Sequence, residues 1–332
     1  MPNIPALHLH LPGFTVGGTE QWALSMAKVL PPLGWRLSAT PPDVSTDEVE
    51  QAFAGWPMRE VEGIPRDALI VAPWDFERLA PFRDRLVAVA HGMNDYYKSI
   101  LRGGDYLRGV AVAEVARQAF PAGKLIEVIH NGVDPDRLVP HRSRGEVRAA
   151  LDVPHEALVV GFVGRWGVGK NPLAIARAAA AIPGAVALYI GPWEEQPALA
   201  AEAAALAPCR FVSPAQARHI GDFYAAMDVC VIASRTEGFS LVAVEAWLSR
   251  VPLVSTPVGV VLEHPELAVA LPPDPAADAT AAAVRTAIDP SRSPAIEEAE
   301  RTARACYTVE AMGQRWRAYL KALAREMALP GA

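Results

Sequence analysis

Two cations and two carboxylates stand where apolar runs give way to glycine turns in the second half of this chain. Arg165 and Lys170 lie in Gly161-Phe-Val-Gly-Arg-Trp-Gly-Val-Gly-Lys-Asn171, which reads as a buried strand, a glycine turn and a helix starting near Asn171-Pro172. Glu237 and Glu245 lie in Val231-Ile-Ala-Ser-Arg-Thr-Glu-Gly-Phe-Ser-Leu-Val-Ala-Val-Glu-Ala246, which has the same strand–turn–helix order. Arginine offers a planar fork of donors to phosphate oxygens, and lysine offers a compact charge. Gly164, Gly167 and Gly169 let backbone approach a ligand with no Cβ in the way. Carboxylates accept hydrogen bonds from sugar and ribose hydroxyls. The set suits a nucleoside diphosphate joined to a sugar.

Each motif also has a plainer explanation. The first could be a surface loop with two solvated cations, although the chain spends one of its five lysines there. In the second, Glu237 could cap the helix and Glu245 could be a solvated charge. Val242, Ala243, Val244, Ala246, Trp247 and Leu248 make that helix largely apolar, so a carboxylate on it needs a partner. If Ser240 opens the helix, Glu245 falls in its second turn. The N–H groups of Gly238, Phe239, Ser240 and Leu241 then surround an electropositive helix end suited to phosphate. Near the start, Thr15-Val-Gly-Gly-Thr-Glu20 opens the first helix without the G-x-G-x-x-G dinucleotide fingerprint. Gly17 and Gly18 could still turn backbone donors toward an anion.

The elements that position these residues are short apolar runs without polar alternation, as expected of strands covered on both faces. They include Ala6–Leu11, Ala68–Ala72, Leu86–Ala90, Gly109–Ala113, Ile126–Ile129, Leu158–Val163, Val186–Ile190, Val229–Ala233 and Pro252–Ser255. Ala-rich helical stretches lie between many of them, such as Glu20–Leu30, Leu173–Ala181, Pro197–Ala207 and Ala215–Met227. This alternation predicts an α/β fold with parallel sheets and right-handed crossovers. A polar stretch and a short helix over 139–157 predict a domain boundary there. Val309, Met312, Trp316, Leu320 and Leu323 then predict a long amphipathic C-terminal helix over Thr308–Met327.

Composition sets further bounds. At 332 residues, 51% hydrophobic and 20% charged, the chain is long enough for two cores. A net charge of −6 argues against a dedicated nucleic-acid partner. The cysteines Cys209, Cys230 and Cys306 share no metal-ligand spacing and suit a reducing, cytoplasmic setting. The first basic residue is Lys28, so a charged signal-peptide n-region is not expected, and no apolar run is long enough to span a membrane.

With these residues assembled, the chain resembles the retaining GT-B glycosyltransferases of group 1, also called family 4. The match is carried by Pro12-Gly-Phe-Thr-Val-Gly-Gly-Thr-Glu20 and by Leu33-Gly-Trp-Arg36. It continues in Ile129-His-Asn-Gly-Val-Asp134, in Gly164-Arg165 with Lys170-Asn171, and in Ser234-Arg-Thr-Glu-Gly-Phe-Ser240 with Glu245-Ala246. It ends in Pro252-Leu-Val-Ser-Thr-Pro-Val-Gly259. The resemblance implies a GT-B fold: two Rossmann-like domains with parallel sheets facing across a cleft, the C-terminal helix crossing back to the N-terminal domain. The domains would be 1–152, an acceptor-side domain completed by 308–332, and 153–307, the donor domain.

The resemblance also implies roles. Arg165 and Lys170 would neutralise the donor pyrophosphate, Glu237 would contact the transferred sugar, and Glu245 the ribose. Gly17, Gly18 and Gly164 would approach the phosphate or sugar, Ser213-Pro214 would lie near the base, and His91 would face the sugar. Neither a metal nor a cofactor is expected beyond a UDP- or GDP-hexose co-substrate. The acceptor would be a sugar, a lipid-linked species or a small molecule, which leaves room for peripheral membrane contact. Two departures stand out: Ala113 replaces a frequent serine, and Val260 replaces the second glycine after Gly259. The competing expectations are a GT-B nucleotide-sugar epimerase and a catalytically silent GT-B binding subunit. A nicotinamide dehydrogenase is disfavoured by the missing fingerprint.

Overall fold

A computed structural model describes residues 4–11, 18–41, 47–214 and 216–329. The chain divides into two compact units, residues 1–132 with 308–332, and residues 133–307.

The first unit begins with β1 (Ala6–Leu9), α1 (Gly18–Val29), β2 (Arg36–Ala39), α2 (Asp47–Ala52) and β3 (Ala68–Ala72). It continues with β4 (Leu86–Ala90), α3 (Asp95–Gly103), β5 (Arg108–Ala111) and β6 (Ile126–Val128). The strands form one parallel sheet in the order β2-β1-β3-β4-β5-β6. Every residue of β3 and β4 is buried, so these continuous apolar runs lie at the sheet's centre with both faces covered.

The second unit holds α4 (Arg144–Ala150), β7 (Leu158–Val163), α5 (Leu173–Ala180), β8 (Ala185–Ile190), α6 (Pro197–Leu206) and β9 (Cys209–Val212). These are followed by α7 (Ile220–Ala226), β10 (Val229–Ile232), α8 (Leu241–Leu248), β11 (Leu253–Ser255), β12 (Val269–Ala270), α9 (Ala277–Ala287) and α10 (Ser293–Cys306). Its parallel sheet runs β12-β11-β10-β7-β8-β9. The chain leaves β7 toward β8 on one side, and β10 later pairs with β7 on the other. That makes the β7/β10 junction a topological switch point, where ligands bind such sheets beyond the strands' carboxyl ends.

The last helix, α11 (Val309–Glu326), returns to the first unit. Val309, Met312, Trp316, Leu320 and Leu323 form its buried face. The Trp316 and Trp22 rings lie 6.1 Å apart, and Arg317 donates to the Val29 carbonyl at 2.9 Å at the end of α1. Gly313 lets the helices approach, since a Cβ there would sit 2.6 Å from Val29 Cβ.

Two expectations need correction. Residues 133–152 group with the second unit, not the first, because polar contacts bind them there. Asp222 Oδ1 accepts from the His141 and Arg142 N–H groups, and its Oδ2 accepts from Arg142 Nε at 2.8 Å. The buried Arg148 guanidinium donates to the Ala226 carbonyl and to Asp228, whose carboxylate also takes the Val159 N–H. Of the helix expected over Ala215–Met227, whose first residue lies outside the described residues, Ile220–Ala226 is helical. Ahead of it the Gln216 side chain accepts from the N–H and hydroxyl of Ser213, a local bond that competes with helix formation.

Candidate active site

Arg165 and Lys170 leave the end of β7 on a turn that is anchored from below. Trp166 is buried and packs its ring 4.7 Å from Tyr189 and 5.8 Å from Phe211. Its flanking residues are thereby held at the surface. Gly164 takes φ 140° and donates its N–H to the Ile190 carbonyl at 2.9 Å. Its own carbonyl would lie 2.0 Å from any Cβ at Gly191, so the β7 and β8 ends approach closely only because residue 191 is glycine. Arg165 is exposed and has no ion-pair partner among the described residues.

The turn after β10 is joined directly to this one. The Arg235 N–H donates to the Gly169 carbonyl at 2.8 Å. Beside that bond, Lys170 Nζ donates to Glu237 Oε1 at 2.5 Å, and Ser234 Oγ donates to the same oxygen at 2.7 Å. Thr256 Oγ1 secures the strand end by donating to the Ser234 carbonyl at 2.6 Å. Lys170 and Glu237 therefore meet in one ion pair, with side chains 34% and 13% exposed. Glu237 does not cap α8. The helix begins at Leu241, and Ser240 precedes it with φ 74° and no side-chain capping bond. Gly259 stacks on this bend, for a Cβ there would stand 2.1 Å from the Phe239 carbonyl oxygen, and the Val260 N–H donates to that oxygen at 2.7 Å.

Glu245 sits half-buried in the second turn of α8, and its Oε2 accepts from the Tyr224 hydroxyl at 2.7 Å. Tyr224, next to Phe223 in the sequence, carries no sequence signal of a polar partner. Ser213 and Pro214 follow β9, at the opposite edge of the sheet from β12. Gly238, Phe239, Ser240 and Leu241 form the bend into α8.

In the first unit, His91 follows β4 directly. Its ring meets Trp22 edge-on at 4.7 Å, and its Nε2 is enclosed with no hydrogen-bond partner among the described residues. Burial pulls its pKa down to about 3, so the imidazole is neutral near pH 7. Gly18 opens α1 and is exposed, whereas Gly17 lies outside the described residues. Near the ends of β1 and β3, His10 bridges Thr40 at 2.8 Å and Asp75 at 3.1 Å, and His8 bonds Ser38 and Thr40.

Residues 157–289 match the family model described as glycosyl transferases group 1, a span that includes both turns and α8. This stretch is similar to a group 1 glycosyltransferase domain, and the chain has the GT-B fold of its structural neighbours. Among sequence relatives, D-inositol 3-phosphate glycosyltransferase of Mycolicibacterium smegmatis is 36% identical over 142 residues, covering 40% of this chain and 32% of that protein. The Mycobacterium bovis protein of the same name is 37% identical over 142 residues, covering 40% and 29%. The chain thus spans about a third of the length of these relatives. Among solved structures, HepE of Anabaena in complex with UDP-glucose superposes with a TM-score of 0.80 at 20% identity, covering 96% of this chain and 99% of that one. Sucrose-phosphate synthase from Thermosynechococcus elongatus gives 0.75 at 19%, covering 97% and 100%.

In this matched span the two cations and Glu237 stand on adjoining strand ends, and Glu245 lies in the second turn of the helix that follows. The described residues contain no cluster of His, Cys, Asp and Glu able to hold a metal ion, and no described helix is long and apolar enough to cross a membrane.

Proposed function

We propose that the chain transfers a hexose from a UDP- or GDP-sugar to a hydroxyl acceptor, with retention of anomeric configuration and without a divalent metal. The observation that carries this reading is the junction of the β7 and β10 turns. There Arg165, Lys170 and the N-terminus of α8 supply positive charge beside the Glu237 carboxylate. Breaking the sugar–phosphate bond leaves its electron pair on the diphosphate, and preorganised donors are worth most where such charge develops. On this reading Arg165 and Lys170 receive the leaving diphosphate. Gly164 and the backbone of Gly238, Phe239, Ser240 and Leu241 are assigned to it as well, and Gly17 and Gly18 to the phosphate or sugar.

Glu237 is assigned to the hydroxyls of the transferred sugar. Lys170 and Ser234 occupy its Oε1, so Oε2 is the oxygen left to accept from them. Glu245 is assigned to the ribose, Ser213-Pro214 to the base, and neutral His91 to the transferred sugar. HepE binds UDP-glucose, which makes UDP-glucose the first donor to try. The acceptor is proposed as a sugar, lipid-linked or small-molecule hydroxyl.

The test is product formation from a panel of nucleotide sugars, with and without EDTA, and NMR assignment of the product anomer. Release of nucleoside diphosphate with retained configuration and undiminished rate in EDTA is expected. An inverted product would overturn retention. Activity lost to chelation and restored by Mg²⁺ or Mn²⁺ would overturn metal independence.

A further inference from the structure

Tyr224 lies on α7 and is wholly removed from solvent. A phenol in that position needs a hydrogen-bond partner. Its partner is Glu245 Oε2, 2.7 Å away on α8, 21 residues along the chain. Burial first, and the neighbouring carboxylate second, raise the phenol's pKa well above 10, so the hydroxyl keeps its proton and can only donate in this pair. Arg137 also bears on the phenol, from the segment ahead of α4, and buried Cys230 on β10 lies near enough to sense the Glu245 charge.

We propose that Tyr224 is a positioning residue for the nucleotide. By taking one oxygen of Glu245 it fixes the rotation of that carboxylate and turns the other oxygen toward the ribose hydroxyls. This rests on the assignment of Glu245 to the ribose. A glutamate has three side-chain torsions, and holding it in one rotamer before ligand arrives reduces the ordering cost of binding. The buried tyrosine supplies that order from a rigid helix, and a phenylalanine in its place would keep the volume while releasing the carboxylate. Tyr224 itself touches neither sugar nor phosphate in this reading. Its effect is therefore expected in donor KM, with kcat at saturating donor nearly unchanged.

The experiment compares calorimetric Kd values for UDP and 2′,3′-dideoxy-UDP, or the guanosine pair if UDP does not bind. They are measured on the full chain, on Tyr224→Phe and on Glu245→Ala. The native chain should prefer the ribose ligand. Tyr224→Phe should weaken UDP by roughly tenfold, the scale of one net hydrogen bond, while dideoxy binding stays within about twofold. Glu245→Ala should erase the preference. If Tyr224→Phe weakens both ligands alike, or neither, Tyr224 is structural only and the proposal fails while the ribose assignment of Glu245 stands. If Glu245→Ala keeps the full preference, that assignment fails and takes the proposal with it. Tyr224→Met, an adaptable apolar replacement, repeats the comparison should the phenylalanine variant not fold.

Discussion

Replacing Glu237 by glutamine separates the two halves of the proposed chemistry. In the structure Glu237 neutralises Lys170 at 2.5 Å and accepts from Ser234 at 2.7 Å. Glutamine keeps an oxygen for both donors and nearly the same volume, so the turn should hold its shape. The negative charge disappears, and Lys170 then presents its full charge to a diphosphate. Two unit charges about 6 Å apart in an effective dielectric of about 40 attract by about 1.4 kcal/mol, so nucleoside diphosphate should bind up to roughly tenfold tighter at low salt. Transfer should move the opposite way. Loss of one charged contact realised at the transition state costs about 10²–10³ in kcat. Calorimetry with UDP or GDP and a coupled assay for released diphosphate measure the two effects on one preparation. Parallel loss of binding and transfer would refute the reasoning, because Glu237 would then be serving the nucleotide and not the sugar. A salt titration adds a check, since the gain in affinity should shrink as ionic strength rises.

Arg165→Ala and Lys170→Ala should each lower kcat by about 10²–10³, with a double variant worse by less than the product, because both cations serve one leaving group. Independent, multiplicative losses would separate their roles. Gly191→Ala places a Cβ 2.0 Å from the Gly164 carbonyl oxygen at φ 146°, so it should lower the melting temperature by the equivalent of roughly 1–3 kcal/mol and weaken donor binding; an unchanged melting curve would mean that the β7–β8 approach is slack. His8 is fully buried, and burial above all, then the nearby His10 and Arg59, lower its pKa to about 3. An unfolded chain takes up that proton near pH 6.5 and the folded one does not, so stability present above pH 6.5 is lost as the pH falls toward 3, by roughly 2 kcal/mol at pH 5. Unfolding curves of His8→Gln should show a flatter acid slope, and an identical slope would remove His8 as the cause. Truncation after Cys306 removes the buried face of α11 and should leave the first unit prone to aggregation while removing no proposed site residue; a soluble product with native melting would show that face to be dispensable.

Much of the fold was legible because parallel, two-sided burial writes itself as uninterrupted apolar runs. β3, β4, β7 and β8 coincide with such runs within a residue or so. Elements without that signature leave little trace in the apolar pattern. β2 begins exposed, β12 has two residues, and α3 and α10 carry many charges with little buried surface. The second unit's start at residue 133 was also hidden, since Arg142 and Arg148 look like surface charges until Asp222 and Asp228 stand opposite them.

The sequence by itself determined the ingredients: which segments bury, where glycines allow backbone to turn, and which charged side chains leave strand ends. These follow from local chain chemistry, and the group 1 motifs are legible for the same reason. Only the tertiary structure decided which ingredients meet. Lys170 and Glu237 are 67 residues apart and touch because β10 pairs with β7, and Tyr224 reaches Glu245 because α7 and α8 flank the same strand. Strand order depends on how crossover connections close around a whole core, and no local pattern of hydrophobicity or charge records it.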